Sequence, residues 1–263
     1  MISSDTKVTG LIGYPVKHSV SPPMQNAAFK ELGLDYIYTA FKVEEGSLED
    51  AVRGIRGLKI EGINVTLPHK SSIMKYLDEI EETAEKIGAV NTVKRAGEKL
   101  IGYNTDGKGA VRALKEEIED IRGKNVLLLG AGGAARAISF SLVREGANLA
   151  ISNRTESKAK SLSEEIEEKT GKEVNPIPQT NKELEKEIRD TDVLVNSTSV
   201  GLHPNTDETI VAGDIMHSNL VVMDIVYNPL KTKLLKEAER VGASTVNGLG
   251  MLVHQGAASF EIW

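Results

Sequence analysis

Gly130, Gly132 and Ala135 have the residue types and the spacing of a phosphate-binding turn. Four apolar residues, 126–129, precede them, and a helix-forming series follows. In the pattern G-x-G-x-x-G/A, the first glycine permits a tight turn, the second lets a pyrophosphate approach the backbone, and the third small residue lets helix and strand pack closely. The first turn of the helix also offers free N–H groups and a positive dipole end to the anion. The turn therefore predicts a dinucleotide-binding site, although an ordinary strand-to-helix turn can have a similar sequence.

The residues that follow the next predicted strand indicate which dinucleotide is bound. That strand ends in Asn153, Arg154 and Thr155 and has no carboxylate there. An acidic residue at this place holds the ribose 2′-hydroxyl of NAD, whereas a nearby arginine accommodates the 2′-phosphate of NADP. Arg154 follows Gly130 by 24 positions, close to the ~20 expected for such a residue. We therefore predict NADP, with Thr155 and Lys158 as further donors; the alternative is an Arg154 that lies solvated on the surface.

Ser19 and Ser21 stand in a polar loop before a helix predicted for residues 22–32. Two residues apart in an extended segment point the same way, so the two hydroxyls could hold one carboxylate together. The alternative is that one of them caps the helix.

Other polar residues also stand where strands end. Asn64 and Thr66 share one face at the end of a strand, and Lys70 follows on a short helix that we expect to begin at Pro68. Asp106 stands between a later strand and a helix. Ligands bind at this edge of open α/β sheets, which makes these side chains candidates for catalysis. The alternatives are a solvated surface lysine and an aspartate that caps its helix.

The elements that must position these residues alternate between strand and helix. Beyond Gly130 the alternation predicts a doubly wound parallel sheet, so the fold class is α/β. A charged helix is expected over 79–87, and a hairpin around Gly97. The predicted strands cover residues 8–12, 36–43, 61–65, 126–129, 148–152, 174–177, 193–196 and 220–226.

Composition narrows the function classes. The 263 residues can bury a sizeable core and fit two domains. A net charge of −6 without a basic block argues against nucleic acid, and no apolar run reaches membrane-spanning length. The chain has no cysteine, its first residues are too polar for a secretory signal, and no metal-ligand spacing occurs. We expect a cytoplasmic protein without a metal.

Eight motifs, in order along nearly the whole chain, resemble those of the shikimate/quinate dehydrogenase family. They are Ser19-Val-Ser-Pro, Asn64-Val-Thr-Leu-Pro-His-Lys, Gly88-Ala-Val-Asn-Thr, Tyr103-Asn-Thr-Asp-Gly, Gly130-Ala-Gly-Gly-Ala-Ala-Arg, Asn153-Arg-Thr, Asn196-Ser-Thr-Ser-Val-Gly and Asn247-Gly-Leu-Gly-Met-Leu. The resemblance implies NADP-dependent reduction of 3-dehydroshikimate to shikimate in aromatic amino-acid biosynthesis. It also implies a substrate domain of residues 1–104 completed by 238–263, and a Rossmann-type NADP-binding domain of residues 105–237.

The resemblance also implies a role for each matching residue. Lys70 would donate and accept the proton, and Asp106 would be its partner. The substrate-binding residues would be Ser19, Ser21, Asn64, Thr66, Asn91, Tyr227 and Gln255. The cofactor-binding residues would be Gly130, Gly132, Gly133, Ala134, Ala135, Asn153, Arg154, Thr155, Lys158, Thr198, Ser199, Val226, Gly248 and Met251.

Two other functions remain as alternatives. The first is a quinate/shikimate dehydrogenase with broader substrates or NAD use, against which Arg154 argues. The second is a non-catalytic sensor on the same scaffold, against which Lys70 and Asp106 argue. The sequence leaves the oligomeric state open, with a homodimer as one alternative.

Overall fold

A computed structural model describes residues 2–263 and divides the chain into two units, each built around a six-stranded sheet. The first unit contains the chain up to Thr105 together with Gly256–Trp263, and the second contains Asp106–Gln255. The mixture of sheets and helices confirms the predicted α/β class. The domain boundaries implied by the resemblance, at 104/105 and 237/238, stay a prediction.

The first unit has a mixed sheet. Its strands are β1 (Lys7–Gly13), β2 (Tyr36–Lys42), β3 (Gly62–Val65), β4 (Glu79–Ile80), β5 (Thr92–Ala96) and β6 (Lys99–Tyr103), and its helices before the C-terminal segment are α1 (Ser21–Glu31), α2 (Leu48–Gly57) and α3 (Glu82–Ile87). The strand order is β2-β1-β3-β5-β6-β4. β1 runs parallel to β2 and β3, whereas β5 is antiparallel to β3 and β6.

The C-terminal segment packs against α1 and the sheet of the first unit. Phe260 stacks on Phe29 of α1 with 4.9 Å between ring centroids, and Nε1 of Trp263 donates a hydrogen bond to the carbonyl of Val93. A Cβ at Gly62 would lie 2.1 Å from Nε1 of Trp263, so this strand position requires glycine. The partly buried side chains of Phe260 and Trp263 therefore pack against the first unit's core.

Pro68 does not begin a helix, which corrects the sequence-based prediction. Residues 67–71 form turns, and a short 3₁₀ helix follows at Ser72–Tyr76. The N–H of His69 bonds to the carbonyl of Thr66, and the buried His69 ring bonds through Nε2 to the carbonyl of Val43. These contacts fix a turn before a helix can start.

The charged helix predicted for 79–87 is also shorter than expected. Glu79–Ile80 pairs with β6 as a short parallel strand. The side chain of Glu81 then accepts hydrogen bonds from the N–H groups of Thr83 and Ala84 and caps α3. Strand pairing and this cap together move the helix start to Glu82.

The second unit has the all-parallel sheet that the alternating pattern predicted. Its strands are β7 (Asn125–Leu129), β8 (Asn148–Asn153), β9 (Val174–Pro178), β10 (Val193–Asn196), β11 (Val221–Asp224) and β12 (Ser244–Val246), and its helices are α4 (Asp106–Leu114), α5 (Gly133–Arg144), α6 (Glu156–Thr170), α7 (Asn181–Ile188) and α8 (Lys233–Arg240). The order β12-β11-β10-β7-β8-β9 is the doubly wound order, with its topological switch point between β7 and β10. The last helix, α9 (Gly248–Ile262), contributes residues to both units.

The buried apolar strands explain why this sheet forms. Leu127, Leu129, Leu194 and Val222 are fully buried and belong to one apolar cluster with residues of α7 and α8. Parallel strands covered by helices need such continuous apolar runs. Within residues 2–263, no helix has the length and apolar character needed to cross a membrane.

Candidate active site

The glycine-rich turn lies between β7 and α5 at the switch point of the second unit's sheet. Gly130 has a φ of +113°, and a Cβ there would lie 2.7 Å from Oγ of Ser197, so the position requires glycine. A Cβ at Gly132 or Gly133 would meet no described atom within 4 Å. Ala135 is fully buried in the first turn of α5. The turn therefore combines close helix–strand packing with an open approach to the helix N-terminus, as a pyrophosphate requires.

The residues predicted to bind the 2′-phosphate of NADP follow β8. Nδ2 of Asn153 donates to the carbonyl of Thr155 and shapes the turn into α6. Arg154, Thr155 and Lys158 are exposed, and Arg154 makes no hydrogen bond or ion pair with any described residue. A cavity of about 260 Å³ has Ala131 of the glycine turn and Lys158 in its wall. These residues fit NADP, because they offer free cationic donors beside the turn.

A buried carboxylate shapes the loops after β10 and β11. Asp224 accepts hydrogen bonds from Nδ2 of Asn196 (3.0 Å), the N–H of Val226 (3.0 Å) and Oγ1 of Thr232 (2.7 Å). Burial raises the pKa of Asp224, and these donors oppose that shift. Oδ1 of Asn196 in turn accepts from Oγ1 of Thr198. The predicted cofactor residues Thr198 and Val226 are thus fixed by one polar network.

The remaining predicted residues of the second unit lie in α9, in α4 and in the loops after β10 and β11. Gly248 begins α9, where a Cβ would lie 2.3 Å from the carbonyl oxygen of Ile225. Met251 is buried, and Tyr227 is exposed. Nε2 of Gln255 in α9 donates a hydrogen bond to the carbonyl of Leu252. Asp106 is the half-buried first residue of α4, and Ser199 is exposed in the loop after β10.

The two serines of the first unit meet at the start of α1. Oγ of Ser19 accepts a hydrogen bond of 3.2 Å from the N–H of Ser21. The N-cap residue is Val20, which makes no side-chain cap bond. Ser19 thus accepts a capping-type hydrogen bond from the first N–H of α1, although Val20 holds the N-cap position. The shared carboxylate role of the two serines stays a prediction.

Lys70 and Thr66 follow the end of β3. The N–H of Thr66 bonds to the carbonyl of Ile12, and the carbonyl of Lys70 accepts from the N–H of Val90 at 2.8 Å. Both side chains are half-buried. Since His69 between them is held by its buried ring, the backbone that presents Lys70 is fixed on both sides.

Asn64 and Asn91 lie in one buried polar network. Nδ2 of Asn64 donates to Oγ1 of Thr92 and to Oγ of Ser259, at 3.1 and 2.9 Å. Oδ1 of Asn91 accepts from the N–H of Thr105 at 2.7 Å. The network thus links two predicted substrate residues to the C-terminal helix.

Sequence reasoning missed several members of these networks. Tyr38, Thr92, Thr105, Asp224 and Ser259 are buried polar residues that hold predicted site residues in place. The sequence signal for Asp224 was its position, as a polar residue, in an apolar strand. Ser259 gives no local signal, because its partners lie 154 to 195 positions away.

Three family models match consecutive parts of the chain. Family models match residues 11–93 as the shikimate dehydrogenase substrate binding domain, 112–246 as shikimate / quinate 5-dehydrogenase, and 248–263 as the shikimate 5′-dehydrogenase C-terminal domain. The shikimate dehydrogenase (NADP(+)) of Methanopyrus kandleri is 54% identical and aligns with 100% of this chain and 91% of its own.

Two solved structures extend the likeness to three dimensions. A shikimate dehydrogenase in complex with NADP⁺ has a TM-score of 0.93 at 49% identity, covering 100% of this chain and 91% of that one. The shikimate 5-dehydrogenase of Listeria monocytogenes, in complex with shikimate and NAD, has a TM-score of 0.95 at 43% identity, covering 100% and 93%.

The doubly wound sheet and its glycine turn define the class as a dinucleotide-binding α/β protein. Matches over the whole length then narrow that class. The chain belongs to the shikimate dehydrogenase family and is an oxidoreductase. The resemblance seen in the sequence motifs is confirmed.

Proposed function

We propose that the chain catalyses the reversible, NADP-dependent reduction of 3-dehydroshikimate to shikimate, with Lys70 as proton donor and acceptor and Asp106 as its partner. The reaction belongs to the biosynthesis of aromatic amino acids. The single observation that carries this proposal is the 54% identity over the whole chain with an NADP-dependent shikimate dehydrogenase. The open glycine turn and the exposed Arg154 support NADP as the cofactor.

The substrate is a ring that carries a carboxylate, hydroxyls and a reacting oxygen. We assign the carboxylate to Ser19 and Ser21, with Tyr227 on the same side. The amide and hydroxyl side chains suit the ring hydroxyls, since they both donate and accept hydrogen bonds. We assign the ring hydroxyls and the reacting oxygen to Asn64, Thr66, Lys70, Asn91, Asp106 and Gln255.

Proton transfer is the step that needs a charged side chain. Bound NADPH supplies a hydride to the carbonyl carbon, so negative charge develops on the carbonyl oxygen. The ammonium of Lys70 stabilises that charge and gives the oxygen its proton. In the reverse direction the lysine takes the proton from the substrate hydroxyl.

Initial rates of shikimate oxidation, followed at the absorbance of the reduced nicotinamide, test the proposal. We expect turnover with NADP and a much lower kcat/KM with NAD. Assays with quinate as substrate and with NAD as cofactor test the alternative of a broader dehydrogenase, which would turn over quinate or use NAD. A chain that binds shikimate without turning it over would be a sensor and would contradict the proposal.

We propose a cytoplasmic location, and a homodimer as one assembly open to the chain. Cell fractionation tests the first, and light scattering on the purified chain distinguishes a dimer from a monomer.

A further inference from the structure

The side-chain amide of Asn64 is held from both ends by buried residues. The hydroxyl of Tyr38 donates to Oδ1 of Asn64 at 2.8 Å. Nδ2 of Asn64 donates to Oγ of Ser259 at 2.9 Å and lies 3.1 Å from Oγ1 of Thr92. Asn64 is only 7% exposed, so the amide cannot rotate into solvent to find other partners.

The surroundings allow one orientation of this amide. The carbonyl oxygen of Asn91, which can only accept, lies 3.2 Å from Nδ2 of Asn64. A reversed amide would place two oxygens against each other there. Both hydrogens on Nδ2 are therefore used within the protein, whereas Oδ1 accepts one bond from Tyr38 and keeps a second lone pair.

Tyr38 is built into the unit as a hydroxyl donor. Its side chain is 2% exposed and packs against the ring of Trp263 at 5.9 Å. Its backbone N–H and carbonyl both bond to the side chain of Asn26. Burial raises the pKa of Tyr38, so the phenol keeps its proton.

We propose that Tyr38 and Ser259 are positioning residues for substrate recognition, which fix the amide of Asn64 so that its oxygen accepts a hydrogen bond from a substrate hydroxyl. Neither residue touches the substrate. The inference rests on the proposed role of Asn64 in binding shikimate. It adds two residues, one on β2 and one on the C-terminal helix, to the groups that determine substrate affinity.

Tyr38→Phe tests the proposal because it removes the hydroxyl and keeps the ring. Loss of one neutral hydrogen bond should raise KM for shikimate about three- to tenfold, while KM for NADP stays unchanged. Tyr36→Phe is the matched control on the same strand, since its hydroxyl accepts only a 3.4 Å contact from Lys7 near the surface. We expect no change in either KM for the control.

A second experiment distinguishes a positioning role of Tyr38 and Ser259 from a general loss of stability. In an Asn64→Ala background, Tyr38→Phe should raise KM for shikimate much less than in the wild type, because the residue acts through Asn64. Ser259→Ala should show the same dependence on Asn64. Ser139→Ala is its control, because the buried Ser139 hydroxyl has no hydrogen-bond partner among residues 2–263.

Three results would overturn the proposal: an unchanged KM for shikimate in both variants, equal rises for shikimate and NADP, or full effects in the Asn64→Ala background. If Tyr38→Phe fails to fold, the Ser259→Ala and Asn64→Ala cycle decides alone. A wild-type chain that does not oxidise shikimate would overturn the proposed function. If the wild type oxidises shikimate normally and one of the three results is found, only the positioning role is overturned.

Discussion

Arg136 and Glu165 form a bidentate ion pair between α5 and α6. Nη2 of Arg136 lies 2.7 Å from Oε1 of Glu165, and Lys169 contacts the same carboxylate. The hydrogen bonds from Arg136, in spite of the partial burial, lower the pKa of Glu165 to about 2. The ion pair therefore connects α5, which follows the glycine turn, to α6, which follows Arg154.

Glu165→Gln should destabilise the chain by about 1–2 kcal/mol at neutral pH, because the ion pair is partly exposed to solvent. The folded-state pKa is depressed, so the stabilisation is present above the ordinary value of 4.5 and is lost as pH falls through about 2. Denaturant unfolding of the wild type and the variant across this range measures the difference. Glu168→Gln, an exposed change on the same helix, is the control. A stability difference that does not shrink with acid would contradict this prediction.

The substrate carboxylate provides a second prediction. Replacing Ser19 and Ser21 together by alanine should raise KM for shikimate much more than KM for NADP. Each lost hydrogen bond to a charged group costs roughly 1.5–3 kcal/mol, which is about tenfold or more per serine. Steady-state kinetics with each substrate varied in turn measures both constants. Ser47→Ala is a suitable control, since Ser47 is exposed and makes no cap bond; an unchanged KM for shikimate in the double variant would rule out the carboxylate assignment.

Cofactor choice gives a third prediction. Arg154→Ala should weaken NADP binding by about 1.5–3 kcal/mol through the loss of charged hydrogen bonds and leave NAD affinity nearly unchanged. Even lysine should replace this residue imperfectly, because a guanidinium pairs with phosphate through two parallel bonds. Dissociation constants for both cofactors at one salt concentration measure the effect. Arg189→Ala removes another exposed arginine of the same unit as a control; equal losses for NADP and NAD would mean that Arg154 supports the fold.

The sequence predicted the second unit well because its signals are local. The apolar strand, Gly130 and the helix after it are contiguous, so one short segment specifies both the turn and its open face. The strand at 193–196 and the helix after Thr155 are likewise contiguous patterns, and the structure confirms both. The position of Arg154 directly after β8 was likewise predicted from a contiguous segment.

The buried networks could not be predicted, because they join residues that are distant in the chain. Asn64 meets Ser259 across 195 positions, and Asn196 meets Asp224 across 28. The start of α3 moved for a similar reason, since β4 forms only when β6 is present to pair with it. In each case tertiary contacts decided what local propensity left open.

The turnover number of Lys70→Ala with shikimate and NADP tests the role of Lys70 as proton donor. Loss of the proton donor should lower kcat by about 10²–10⁴-fold, while the melting temperature and the dissociation constant for NADP stay close to wild type. Lys75→Ala, an exposed lysine in the neighbouring 3₁₀ helix, should keep its activity. A folded Lys70→Ala chain with near-wild-type kcat would contradict the account.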